Sequence, residues 1–175
     1  LTFDVSTLEI WGGLLHGRRG VLYPDNLPSP ERLRGLIVRF EIDTLWLTTS
    51  VFNAVVDSDP TILSGVRQLV VGGEALSLEH IMRALEGCGD LHLVNGYGPT
   101  EATVLATRHH IDPKTERARG FIPIGQPIAN TIARVMDRHL ACAPISIRGE
   151  LCLGGIGLAR GYVGRADLTA LRFVP

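Results

Sequence analysis

Apolar positions recur along the chain with two periods, one helical and one extended. In SPERLRGLIVRF, residues 29–40, Leu33, Leu36, Ile37 and Phe40 repeat at i, i+3, i+4 and i+7, which puts them on one stripe of a helix. Ser29 is placed to cap that helix and Pro30 to open its first turn. SLEHIMRALEG, residues 77–87, repeats the scheme, with Ser77 as cap, Leu78, Ile81, Met82 and Leu85 as stripe, and Gly87 as stop. A third helix is expected near the start: Ser6 and Glu9 have capping-box spacing and Val5 and Ile10 that of a hydrophobic staple. That helix should begin at Thr7 and run toward Gly17. Short β-rich runs lie between and after these helices: TLWLTT (44–49), VRQLVVGG (66–73), LHLVNGYG (91–98), TVLATRHHI (103–111), IANTIARVMD (128–137) and GELCLGG (149–155). Several are apolar on both faces, as strands covered by helices on either side of a mostly parallel sheet are. The class is therefore α/β. Residues 1–112 read as the helix-flanked sheet portion. After Pro113 the helical signal fades and strands separated by Pro and Gly take over, so residues 113–175 read as a strand-rich, more antiparallel portion.

Composition narrows the partners. With 175 residues, 45% hydrophobic and a net charge of -1, the chain can bury a sizeable core and has no basic excess to favour nucleic acid or an anionic membrane. No apolar run is long enough to span a bilayer and no signal-peptide pattern opens the chain, so a cytoplasmic location is expected. Cys88, Cys142 and Cys152 are odd in number with no CxxC pair, which supports neither a disulfide framework nor a zinc site. The histidines show no metal spacing, and adjacent His109 and His110 point to opposite faces of a strand. Leu1 in place of Met, and the LRFVP ending, read as an internal portion of a longer protein.

Three stretches carry candidate chemistry. Asp4 lies between Phe3 and Val5 just before a helix whose cap is Ser6, so its carboxylate is spare, and a fixed anion among apolar side chains suits a ligand cation. NGYGPTEAT, residues 95–103, follows an apolar strand, where ligands collect in open α/β sheets. Gly96 and Gly98 leave the Tyr97 ring uncluttered, Thr100 offers a hydroxyl, and Glu101 is a hard oxygen ligand suited to Mg2+. Tyr97 alone could be core packing and Glu101 alone a surface charge; together in one turn they read as a nucleotide site. In GELCLGGIGLARGY, residues 149–162, the glycines fail the dinucleotide fingerprint, because counting from Gly155 its last position is Arg160 and no strong helix pattern comes right after it. Arg160 could pair with an acid or be solvated.

In this order and separation, FDVSTLEIWGGLLHG, NGYGPTEATV, IPIGQPIAN and GELCLGGIGLARGY resemble motifs of the adenylation domains of nonribosomal peptide synthetases, members of the AMP-binding, adenylate-forming superfamily. The resemblance covers essentially the whole chain. It implies ATP-dependent activation of an amino acid as aminoacyl-AMP, as in peptide antibiotic biosynthesis, with transfer to the phosphopantetheine of a peptidyl carrier domain alongside a condensation domain. By the same matching Asp4 pairs with the substrate ammonium, and Val5, Leu8, Trp46, Val70, Gly72, Gly96, Val104 and Leu105 line the side-chain pocket. Tyr97 stacks on adenine, Asn95 hydrogen-bonds it, Gly73, Glu74 and Ala75 line its other side, Thr100 meets the α-phosphate and Glu101 binds Mg2+. The family's phosphate loop would lie upstream and its lysine-bearing C-terminal domain downstream, so the 175 residues alone are expected to be inactive. No lining residue is charged and only the Trp46 indole donates, which points to a compact aliphatic amino acid, valine first. Two departures, Ala166 for the family's proline and the missing glycine in PISIRGE, bear on turn geometry. An acyl- or aryl-acid CoA ligase, or a non-catalytic nucleotide-binding module, are the competing readings.

Overall fold

A computed structural model describes residues 3–24 and 29–174. Its elements run α1 (Ser6–Leu14), α2 (Pro30–Phe40), β1 (Thr44–Thr48), α3 (Thr49–Ser58), β2 (Gln68–Gly72), α4 (Leu78–Gly87), β3 (His92–Tyr97), β4 (Thr107–His110), α5 (Pro113–Arg119), β5 (Gln126–Pro127), β6 (Thr131–Met136), β7 (Glu150–Gly155) and α6 (Ala166–Arg172). One sheet has the order β1-β2-β3-β4-β5, and β6 and β7 form a separate pair. β1, β2 and β3 are parallel, whereas β4 and β5 join antiparallel, as do β6 and β7. The α/β reading holds, and β6 and β7 pair antiparallel after Pro113 as expected, but β4 already joins the first sheet antiparallel before Pro113, and that sheet extends past residue 112 to take in β5. Among the described residues no helix is long and apolar enough to cross a membrane.

Parallel neighbours need a crossover, and α3 and α4 supply the two that link β1 to β2 and β2 to β3. α2 forms as its sequence predicts: the Ser29 side chain accepts from Arg32 N–H at 3.3 Å, Pro30 opens the helix, and Leu33 and Ile37 are buried. Ser77 caps α4 in the same way. Leu47, Leu69, Val71 and Leu93 point to one face of the sheet, where they share a core with Ile37 of α2, Phe52, Val55 and Val56 of α3, and Ile81 of α4. Each such side chain contributes about 1.5–3 kcal/mol by leaving water.

Five local expectations change. α1 is not capped by Ser6: Val5 is the N-cap residue, already in helical geometry, and no side chain caps the helix. Ser6 N–H donates to Phe3 O at 3.1 Å and Thr7 N–H to Asp4 O at 2.9 Å, so the turn starts three residues early and no capping box forms. Gly87 does not stop α4 by a left-handed turn; it is the last helical residue, and a Cβ there would lie 3.0 Å from Pro60 Cβ, so closeness to Pro60 is what favours glycine. α3, unread in the sequence, begins directly at the end of β1 with Thr48 accepting from Val51 N–H. α5 starts where the helical signal was expected to fade: Asp112 accepts from Lys114 and Thr115 N–H, Pro113 follows, and Gly120 ends the helix. Finally, β4 is shorter than its β-rich run, because Thr103 and Val104 take positive φ values of 60° and 67° and residues 103–106 form a loop.

Candidate functional site

Strand register builds the site. Thr48, Gly72 and Gly96 are aligned across β1, β2 and β3, so the carboxyl ends of the three parallel strands finish side by side, where open α/β sheets bind ligands. Side chains alternate along a strand, and Trp46, Val70, Gly72 and Gly96 therefore share the face opposite the core. Gly72 demands glycine by space alone, against backbone, and Gly96 is crowded by two side chains. A Cβ on Gly72 would lie 2.1 Å from Gly96 O, inside the β2–β3 pairing. One on Gly96 would meet Leu105 Cδ2 at 2.9 Å and Val70 Cγ1 at 3.1 Å. Val70, Gly96 and Leu105 thus pack together.

The 103–106 loop brings Leu105 there. Leu105 N–H bonds Thr103 O and Ala106 N–H bonds Tyr97 O, each at 2.8 Å. Two successive β-branched residues in the left-handed region are strained, as residues at functional sites often are. Phe3 packs against Trp46 in a tilted pair, 6.0 Å between ring centroids and 58° between planes, which ties the start of α1 to the same face. Val5 is buried, Leu8 and Val104 are half-buried, and Trp46 Nε1 is buried with no partner among the described residues. The Asp4 carboxylate is half-buried and, among the described residues, holds neither hydrogen bond nor ion pair. It is spare as expected, but because backbone carbonyls serve the first N–H groups of α1, with Ser6 taking no part.

Around the strand ends, Tyr97 is 37% exposed, its ring open to a partner. Gly73, Glu74 and Ala75 are exposed just beyond β2, and Thr49, itself buried, holds that segment by donating to Gly72 O at 3.2 Å or Glu74 O at 3.1 Å. Thr49 was not singled out from the sequence, although a threonine joining a strand to a helix was the available sign. Asn95 lies on the core side of β3 and donates to Pro123 O at 2.8 Å, so at most one of its N–H groups is free for a base. Thr100 is exposed at the head of the 3₁₀ turn Thr100–Ala102.

Glu101, in that turn, is fixed from a distant part of the chain. Its Oε1 accepts from the Tyr162 hydroxyl, its carbonyl accepts from Ala159 N–H at 2.7 Å, and neighbouring Thr103 donates to Gly157 O at 2.6 Å. The Tyr162 bond, helped by the Glu101 backbone N–H, holds the Glu101 carboxyl below the usual carboxylate range, and the same Tyr162 bond pushes the phenol up. The glycine-rich segment therefore reaches the site through Tyr162 and its backbone, while Arg160 is solvent-exposed. Among the described residues no group of three or more His, Cys, Asp and Glu could hold a metal by itself. A single carboxylate such as that of Glu101 suits an ion such as Mg2+, which takes one or two carboxylates together with phosphate oxygens. Two surface depressions, of about 510 and 260 Å³, lie at Met136–Glu150 and around Leu85–Pro113 and include none of the candidate substrate residues.

Residues 1–163 match the family model described as AMP-binding enzyme. Over 175 residues the chain is 49% identical to a linear gramicidin synthase of Brevibacillus parabrevis, covering all of this chain and 3% of that protein. Among solved structures, PA1221, an NRPS protein containing adenylation and PCP domains, superposes with a TM-score of 0.93 at 44% identity over 99% of this chain and 35% of that one. The Klebsiella oxytoca NpsA N-terminal subdomain in complex with 3-hydroxyanthranilyl-AMSN does so with a TM-score of 0.88 at 27% identity, over 99% of this chain and 42% of that one.

Proposed function

The chain belongs to the AMP-binding enzyme family, and on that footing we propose that it is the substrate- and nucleotide-binding part of a ligase that activates a small aliphatic amino acid as aminoacyl-AMP. Because it spans 3% of the gramicidin synthase and about a third of the PA1221 chain, the activity is proposed for a longer protein that contains these residues. What supports the reading most is the register that ends β1, β2 and β3 side by side, with Val70, Gly96 and Leu105 packed together, Phe3 against Trp46, and the loop that carries Tyr97, Thr100 and Glu101 following directly on β3.

The chemistry follows from that placement. The amino acid lies with its ammonium on Asp4 and its side chain on Trp46, Val70, Gly96 and Leu105, with Val5, Leu8, Gly72 and Val104 completing the pocket. ATP lies with adenine between Tyr97 and the 73–75 segment, the remaining polar atoms of Asn95 at the base edge, and its α-phosphate at Thr100. The substrate carboxylate then attacks the α-phosphorus, an O–P bond forms, the bond to the bridging oxygen breaks, and pyrophosphate leaves. No protein nucleophile is needed, because positioning and charge stabilisation carry phosphoryl-type transfers. Glu101 is the group that would hold Mg2+, which supplies neutralisation of phosphate charge when bound. Passage of the aminoacyl group to the phosphopantetheine of a carrier domain, with a condensation domain downstream in the chemistry, fits the synthetases that the chain is similar to, and PA1221 itself contains a PCP domain.

Trp46 sets pocket volume in this reading. In the complete protein Trp46→Ala is expected to shift kcat/KM toward leucine, phenylalanine and other larger apolar substrates by about tenfold or more, since each methylene is worth roughly 1–3 kcal/mol of discrimination. An unchanged preference across the amino acids removes Trp46 from the pocket.

A further inference from the structure

We propose that Tyr162 is the positioning residue for Glu101, holding one carboxylate oxygen so that the other is presented to the nucleotide's divalent cation. The inference rests on the proposed role of Glu101 and goes beyond it, because Tyr162 lies 61 residues further along the chain, past β7.

The geometry is that of a built support. Tyr162 donates its hydroxyl to Glu101 Oε1, and Oε2 accepts from no other side chain among the described residues. Tyr162 is itself held at two points. Its ring packs edge-on against Phe173, with centroids 5.5 Å apart and planes at 79°. Its N–H donates to Thr169 Oγ1 at 2.9 Å, and Thr169 in turn donates to Arg165 O at 2.9 Å. The preceding Gly161 has φ +137°, and a Cβ there would lie 2.5 Å from Thr169 Cγ2, so only glycine lets the backbone sit this close to α6. The backbone of the same segment is pinned to the Glu101 turn by Ala159 N–H and Gly157 O. A long phenol braced by a helix and aimed at a single carboxylate oxygen is more than surface packing requires. Groups that orient a metal ligand from behind typically change metal affinity by about 10–100-fold when removed.

The test uses the complete protein. Tyr162→Phe keeps the ring on Phe173 and deletes only the hydroxyl. Mn2+ binding in the presence of ATP and absence of amino acid, read by electron paramagnetic resonance, is expected to weaken about tenfold, and the free Mg2+ needed for half-maximal pyrophosphate exchange to rise in parallel. KM for the amino acid is expected to stay within about twofold. Glu101→Gln is the reference. If it weakens Mn2+ binding and Tyr162→Phe does not, the positioning role is overturned while the role of Glu101 stands. If Glu101→Gln leaves Mn2+ binding unchanged, both are overturned. A tenfold rise in amino acid KM in Tyr162→Phe also counts against the inference, because a distorted cleft would then account for the loss. Thr169→Val, which keeps the Tyr162 hydroxyl but frees the Tyr162 backbone, is expected to give a smaller loss of Mn2+ affinity in the same direction.

Discussion

Asp4→Ala is expected to lower kcat/KM for the preferred amino acid by about 30- to 5,000-fold, because truncating one member of a close, poorly solvated charge pair costs roughly 2–5 kcal/mol and 1.36 kcal/mol is tenfold. The carboxylate is half-buried beside the Phe3–Trp46 contact and has no partner among the described residues, so its interaction energy is available to a ligand. Asp4→Asn should fall between, since an amide keeps one acceptor and loses the charge. Initial rates of amino-acid-dependent pyrophosphate exchange check this. A ligase for acids without an amine would use the same Tyr97 and Glu101 yet leave Asp4 idle, and equal kcat/KM in Asp4→Ala would favour that reading.

Glu116→Gln is expected to destabilise the β4–α5 unit by roughly 2–3 kcal/mol. Glu116 is 1% exposed, with one carboxylate oxygen on His109 Nε2 and the other on Arg119 Nη1, both at 2.7 Å. The value sits at or below the lower end for buried pairs because both partners reach solvent. Burial pushes the carboxyl pKa up, but the His109 and Arg119 bonds outweigh it and hold the group below its ordinary value. A depressed folded pKa stabilises the native state above the unfolded value of about 4.3 and loses that contribution as pH falls from there through the folded value. Amide hydrogen exchange across Thr107–His110 in wild type and variant measures it. Protection should drop by about 30- to 150-fold at pH 7, and the gap between the two should narrow in acid. Because His109 is the cross-strand neighbour of Asn95, the network also supports the strand that carries Tyr97. An unchanged protection factor would make the pair ornamental.

What the sequence made legible, and what it hid, divides along physical lines. α2 and α4 were readable because capping and periodicity agreed with tertiary burial. α3 was not, because Thr49, Val51, Val55 and Val56 are β-branched and lean toward strand, and only the need to cross from β1 to β2 and bury Phe52 makes them helical. α5 carried its signals openly, Asp112, Pro113 and Gly120, but is too short for a stripe. Ser6 and Glu9 had the right spacing for a capping box, yet the backbone was already turning at Phe3, and a cap needs extended geometry at its own residue. Trp46, Val70, Gly72 and Gly96 fell on one face because their spacings obey strand parity and the three strands are in register. The Tyr162–Glu101 contact could not be read, since it joins residues 61 apart in the chain and no local pattern encodes that.

The most direct measurement is pyrophosphate exchange by the full-length protein across the amino acids and their deaminated counterparts. A single aliphatic amino acid, valine first, should drive exchange, and 3-methylbutanoate, which has the valine side chain and carboxylate but no ammonium, should not. Equal exchange with the deaminated acid, or none with any amino acid, would contradict amino-acid activation by this chain.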